Sequence, residues 1–127
     1  MTNTLIVEDN ASFREILKNI LISSFPFMTI REAADALEAL VEIEAQTPEL
    51  IFMDIRLPGE NGIQLTRKIQ SSHPATIIVV ISNCDTIEYQ KAALEAGAKA
   101  FVSKTSSTPT DIIETVSRIF PTFQPAV

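Results

Sequence analysis

The amino-acid sequence predicts an α/β domain, a five-stranded parallel sheet covered by helices on both faces. Five short apolar runs rich in β-branched or aromatic residues alternate with segments whose apolar residues recur at helical spacing. Parallel strands need crossover connections, which are almost always right-handed, and the segments between the runs are suited to supply them as helices. At 127 residues the chain has the length of one domain, which can bury roughly two thirds of the surface its unfolded form exposes.

The first run is Leu5-Ile6-Val7. Phe13, Ile16, Leu17, Ile20 and Leu21 follow on one helical face, and Ser12 with Glu15 has the spacing of a capping box. Phe25-Pro26-Phe27 reads as a turn with aromatic packing before the second run, Met28-Thr29-Ile30. Asp35 is placed to cap a helix carrying Ala36, Leu37, Leu40, Val41 and Ile43. The third run, Leu50-Ile51-Phe52-Met53, leads to Pro58-Gly59 and Gly62, which suit a tight loop. After the fourth run, Ile77-Ile78-Val79-Val80-Ile81, Asp85 is a candidate cap. Gly97 follows Ala92, Ala93, Leu94 and Ala96, where a helix end calls for left-handed dihedrals. The fifth run is Ala100-Phe101-Val102; a last helix from about Thr110 turns Ile112, Ile113, Val116 and Ile119 inward and stops at Pro121. The predicted domain is 1–120, with 121–127 a tail or the start of a linker.

Composition narrows the function classes. A hydrophobic share of 46% with 20% charged residues suits a soluble globular domain, and no apolar run approaches the length of a membrane span. The start, Met1-Thr2-Asn3-Thr4, lacks the basic region and cleavage site of a signal peptide, so a cytoplasmic location is expected. Cys84 is the only cysteine, which excludes an internal disulfide and a cysteine zinc cluster while leaving a free thiol. A formal charge of −6 argues against direct binding of nucleic acid or an anionic membrane.

The chemistry-bearing residues fall where the apolar runs end. Glu8-Asp9 follows the first, Asp54 the third, Ser82 the fourth and Lys104 the fifth. In a parallel sheet covered by helices, ligands bind beyond these carboxyl ends. Clustered carboxylates repel one another unless a cation sits among them, and hard oxygen donors suit Mg²⁺. With Lys104 as a second positive charge, an anionic phosphoryl donor could approach the Asp54 carboxylate and leave an acyl phosphate there. Each residue also has an ordinary reading: Asp54 as a turn former, Asp9 as a helix cap, Ser82 as a strand-end hydroxyl, Lys104 as a solvated charge, Phe101 as core. Their order along the chain favours the site.

The set Leu5-Ile6-Val7-Glu8-Asp9-Asn10, Met53-Asp54-Ile55-Arg56-Leu57-Pro58-Gly59-Glu60-Asn61-Gly62, Ile81-Ser82 and Ala96-Gly97-Ala98-Lys99-Ala100-Phe101-Val102-Ser103-Lys104 strongly resembles the response-regulator receiver domain of two-component signalling. It spans essentially the whole chain. The resemblance implies a flavodoxin-like strand order 2-1-3-4-5, with Asp9 and Asp54 converging at the switch point. It implies that Asp54 is phosphorylated from a histidine of a sensor kinase, and that Glu8, Asp9, Asp54 and the Arg56 backbone carbonyl bind Mg²⁺. Ser82, Phe101 and Lys104 would form the switch that alters a surface read by a partner or by a second copy in a homodimer.

Two departures from the family pattern stand out. Thr105 follows Lys104 where proline is frequent, as in the branch that often carries a helix-turn-helix output domain, so a downstream DNA-binding domain is a further expectation. Asn83 is bulkier than the usual residue after Ser82, and Arg56, Asn83 and Cys84 are expected on the rim of the pocket. An aspartate-nucleophile phosphatase would need a carboxylate where Arg56 stands, and Gly59, Gly62 and Gly97 form no nucleotide-binding fingerprint. The remaining alternative is a receiver-like interaction module that works without phosphorylation. His73, before Pro74, is expected to be inert.

Overall fold

The computed structural model describes residues 2–126. Its strands are β1 (Thr2–Val7), β2 (Met28–Ala33), β3 (Leu50–Met53), β4 (Ile77–Ser82) and β5 (Ala100–Ser103). They alternate with helices α1 (Ala11–Ser24), α2 (Ala36–Ala45), α3 (Gly62–Ser72), α4 (Ile87–Glu95) and α5 (Pro109–Ile119). All strand pairs are parallel and the order is β2-β1-β3-β4-β5, as the resemblance implied.

Alternation along the central strands divides the core in two. Leu5, Val7, Ile51, Met53, Ile78 and Val80 face α2, α3 and α4, while Ile6, Leu50, Phe52, Val79 and Ile81 face α1 and α5. Both faces of a covered parallel sheet are apolar, which is why these strands read as continuous hydrophobic runs. The helix bearing Leu37 and Val41 buries a narrower stripe than its periodicity suggests. Ala36, Ala39 and Ile43 are inside, while Leu37 and Val41 are exposed.

Two of the expected helix caps are corrected. Asn10, not Ser12, caps α1, its Oδ1 accepting from Phe13 N at 3.0 Å; Ser12 lies within the first turn. Asp35 caps α2 as expected, but α4 is capped by Thr86, whose hydroxyl accepts from Tyr89 N, and Asp85 is turned to other partners. Thr108 and Asp111 form a reciprocal capping box at α5 with Pro109 in its first turn. Gly97 ends α4 with φ +114, a conformation costly for any residue with a Cβ.

At the amino edge of the sheet, Phe25 and Phe27 meet Phe123, which stacks on Phe120 at 4.5 Å between ring centroids. Ala126 N donates to Ser24 O at 2.7 Å, so the segment after α5 returns across the end of α1. Among the described residues, no helix is long and apolar enough to cross a membrane.

Candidate functional site at the carboxyl edge

The strand ends deliver the site. Asp54 N donates to Val7 O at 3.1 Å, extending the β1–β3 ladder by one residue, so Asp54 stands beside the Glu8-Asp9 pair. Lys104 N donates to Ser82 O at 3.1 Å in the same way, joining the ends of β4 and β5. One carboxylate oxygen each from Glu8, Asp9 and Asp54 lie within 4.8 Å of one another. Glu8 is 2% exposed and Asp54 6%, whereas Asp9 is open to solvent.

Each Asp54 oxygen has a donor. Ile55 N donates to Oδ1 at 2.7 Å and Lys104 Nζ to Oδ2 at 3.1 Å. Lys104 also forms an ion pair with Glu8 Oε1 and lies 4.4 Å from the centroid of the Phe13 ring. Glu8 Oε2 accepts from Asn10 N at 3.1 Å, while Arg14 donates to the Glu8 carbonyl at 2.7 Å and pairs with Glu32. Gly62 N donates to Ile55 O at 2.7 Å, bringing the start of α3 against the acceptor strand. A Cβ at position 62 would lie 1.9 Å from the Asp54 carbonyl oxygen, so only glycine allows this approach.

Electrostatics follow from burial. Glu8 is pushed up to about 7 by burial, and the Asp54 charge adds to the rise; Lys104 and the Asn10 N–H oppose it. Burial alone would lower Lys104, but the Glu8 hydrogen bond and the charges of Asp54 and Glu8 outweigh it and raise Lys104 above its ordinary value. A buried carboxylate that keeps its proton near neutrality is one whose ionisation one ammonium does not compensate. Hard oxygen donors at this spacing, with that deficit of positive charge, fit a small dication.

Asp54 opens onto a cleft of about 360 Å³ lined also by Arg56, Ser82, Asn83, Cys84 and Lys104. A second hollow of about 380 Å³ lies on the Asp9 side, over Arg56 and the loop through Asn61. The expected rim residues therefore do meet at the cleft. Arg56 is tethered there, its Nε donating to Cys84 Sγ at 3.0 Å, and Cys84 N donates to Ser82 Oγ at 3.2 Å. Ser82 is 1% exposed. Phe101 is half-buried and packs against the α2, α3 and α4 side of the core; it is not part of the cleft lining. The His73 ring lies 3.0 Å from the Ser72 hydroxyl at the carboxyl end of α3, and His73 does not line the cleft. Sequence reading missed Phe13 beneath Lys104, Arg14 on the Glu8 carbonyl and the tether of Arg56 to Cys84. None follows from local spacing, since each depends on how separate segments meet.

Sheet order and site define the class: an α/β signalling module with an acidic centre at the carboxyl edge of its sheet. The chain belongs to the response regulator receiver domain family, which matches residues 4–117. It is 43% identical over 102 residues to protein-glutamate methylesterase/protein-glutamine glutaminase 2 of Paramagnetospirillum magneticum, covering 79% of this chain and 29% of that protein. It is 31% identical over 115 residues to the transcriptional activator protein ExaE of Pseudomonas putida, covering 91% and 53%. The chain thus spans between about a quarter and about half of the length of these relatives. Among solved structures, it is similar to the receiver domain of the putative response regulator NarL from Mycobacterium tuberculosis, with a TM-score of 0.85, 30% identity and coverage of 95% and 97%. A CheY-like receiver domain protein from Methanospirillum hungatei gives a TM-score of 0.86 at 28% identity, covering 95% and 94%.

Proposed function

We propose that Asp54 accepts a phosphoryl group from a histidine of a sensor kinase, with Mg²⁺ held by the Glu8, Asp9 and Asp54 carboxylates and the Arg56 backbone carbonyl. The observation that carries this is the state of the Asp54 carboxylate: oriented by Ile55 N–H and Lys104 Nζ, yet open to a cleft beside Ser82. An Asp54 oxygen forms the O–P bond as the N–P bond of the donor breaks. The electron pair leaves on the imidazole nitrogen, which takes a proton from water. Lys104 balances charge on the transferring group, and the Ser82 hydroxyl donates to one of its oxygens. Bound Mg²⁺ supplies Lewis-acid neutralisation of the charge gathered between the carboxylates and the phosphoryl group.

The chain assists its own phosphorylation and dephosphorylation and is not an enzyme acting on a separate substrate. Movement of Ser82 towards the phosphoryl group frees space for Phe101 to turn inward, changing the surface of α4, β5 and α5. That surface is read by a second copy or by an output domain. The likeness to a transcriptional activator supports a DNA-binding output, while the acidic receiver itself makes no nucleic-acid contact. The receiver occupies 1–120 with 121–127 as a tail or the start of a linker, and the working compartment is the cytoplasm.

Intact-mass measurement with Mg²⁺ and a small acyl-phosphate donor tests the assignment: one label on the wild type, none on Asp54→Asn. Persistent labelling of the Asn variant would move the acceptor elsewhere. Lys104→Ala and Ser82→Ala should fold normally but lose the amide-shift changes over 83–104 that accompany phosphorylation. Responses equal to wild type would remove both from the switch.

A further inference from the structure

The loops after β4 and β5 are joined by a single carboxylate. Asp85 Oδ2 accepts from the Ser103 hydroxyl at 2.5 Å and from the Thr105 hydroxyl at 3.2 Å. Those hydroxyls lie 3.2 Å apart, and Ser103 Oγ also accepts from Ser106 N at 3.4 Å. Ser103 and Thr105 are the two chain neighbours of Lys104. Asp85 in turn follows Ser82, Asn83 and Cys84 in the loop after β4, and the Lys104 N–H bond to Ser82 O closes the ring. Two loops that each deliver a polar group to the cleft are thereby locked to one another. Because Thr86 caps α4, the Asp85 carboxylate is free to serve the other loop. The Ser103 hydroxyl holds the Asp85 carboxyl below its ordinary range; burial opposes it, and the Thr105 hydroxyl adds a lesser lowering.

We propose that Asp85 is a positioning residue for phosphoryl acceptance: by gripping both neighbours of Lys104 it holds the ammonium on Asp54 and limits the travel of the Ser82–Cys84 loop. The inference rests on the reading of Asp54 as acceptor. Asp85 lines the same cleft as Asp54, but its carboxylate bonds to the Ser103 and Thr105 hydroxyls and not to Asp54 or Lys104, so it acts through the loops. Two charge-assisted hydrogen bonds from hydroxyls onto one carboxylate oxygen are stronger than neutral ones, so an amide in its place would grip less firmly and a methyl group not at all. Thr105 takes part through a hydroxyl that proline at that position would lack.

The test measures the rate of labelling by a small acyl-phosphate donor at saturating Mg²⁺ for wild type, Asp85→Ala, Asp85→Asn, Thr105→Val and the Asp85→Ala/Thr105→Val pair. Mg²⁺ affinity and the Lys104 amide shift are followed in parallel. We expect Asp85→Ala to slow labelling roughly three- to tenfold, the cost of a modest misplacement of a catalytic group. Final stoichiometry and Mg²⁺ affinity should not change, and the Lys104 amide shift should move. Asp85→Asn, which keeps an acceptor oxygen, should recover most of the rate. The double variant should be no slower than Asp85→Ala, because both changes break one clamp. Wild-type rates in Asp85→Ala, rate losses that multiply in the double variant, or a fall in Mg²⁺ affinity matching the rate loss would each overturn the clamp. Normal labelling of Asp54 in a variant that keeps wild-type speed overturns the clamp alone, whereas a wild type that takes no label at Asp54 overturns both readings.

Discussion

At the carboxyl edge of the sheet, Lys104 stands between Glu8 and Asp54, and a buried carboxylate is held near neutrality by its surroundings. At the amino edge, Phe25, Phe27, Phe120 and Phe123 close the same sheet with ring contacts and a returning backbone strand of chain. Aromatic pairs of this kind add about 0.5–1.5 kcal/mol beyond the area they bury. The two edges share strands yet divide the work. One end supplies cohesion, and the other gathers carboxylates whose repulsion Lys104 offsets only in part. A folded domain tolerates such a frustrated edge because the opposite edge and the two core layers hold the strands in place.

The sharpest way to break this contrast is to remove the aromatic anchor. Phe25 is fully buried, and Phe25→Ala should cost about 3–5 kcal/mol of stability in urea unfolding, while the folded fraction still takes one phosphoryl label. Loss of labelling in folded protein would show that the edges are not independent.

The next effect is at the charged edge. The folded pKa of Glu8 lies above its ordinary value of 4.5, at about 7. For a carboxyl shifted upward, the stabilising contribution of the proton is complete below the unfolded pKa and is lost as pH rises through the folded one. Stability of the cation-free protein should therefore fall by about 1–3 kcal/mol between pH 4.5 and 7 relative to Glu8→Gln, as thermal unfolding across that range would record. Added Mg²⁺ should raise the melting temperature more at pH 8 than at pH 5, and chelation should reverse it. A wild-type profile parallel to that of Glu8→Gln would remove the charge conflict.

Smaller still is the contribution of the returning segment. Phe123→Ala should lower stability by about 1–2 kcal/mol, since the ring is only half-buried but meets three others. The phosphorylation rate should stay the same. Least in free energy is the rim: Arg56→Asn releases the tether to Cys84 and, on the proposal that the guanidinium crowds the line of water attack, should speed decay of the phosphorylated domain about two- to threefold. Unchanged or slower decay would deny Arg56 a shielding role.

Much of this was readable from sequence, for identifiable reasons. Continuous apolar runs rich in β-branched and aromatic residues, with their polar terminators, located all five strands and put Glu8, Asp54, Ser82 and Lys104 at their ends. Strand order was not in the spacing and came through family resemblance. Aspartates 35 and 85 precede helices alike, yet one caps and the other bridges two loops; the difference lies in Ser103 and Thr105, brought close only by the β4–β5 pairing. Leu37 and Val41 share helical spacing with buried neighbours but stay exposed, because periodicity fixes a face's direction and not how much of it the sheet covers.

The contact between Gly62 and the Asp54 carbonyl has a bearing on descent. Every replacement for glycine adds at least one carbon, and here that carbon would sit inside the van der Waals shell of the acceptor's own backbone. Position 62 therefore has no neutral neighbours in sequence space while the chain follows this path, whatever side chain position 54 carries. The constraint belongs to the backbone and not to the carboxylate, so a lineage that exchanged the aspartate would keep the glycine for as long as it kept the loop.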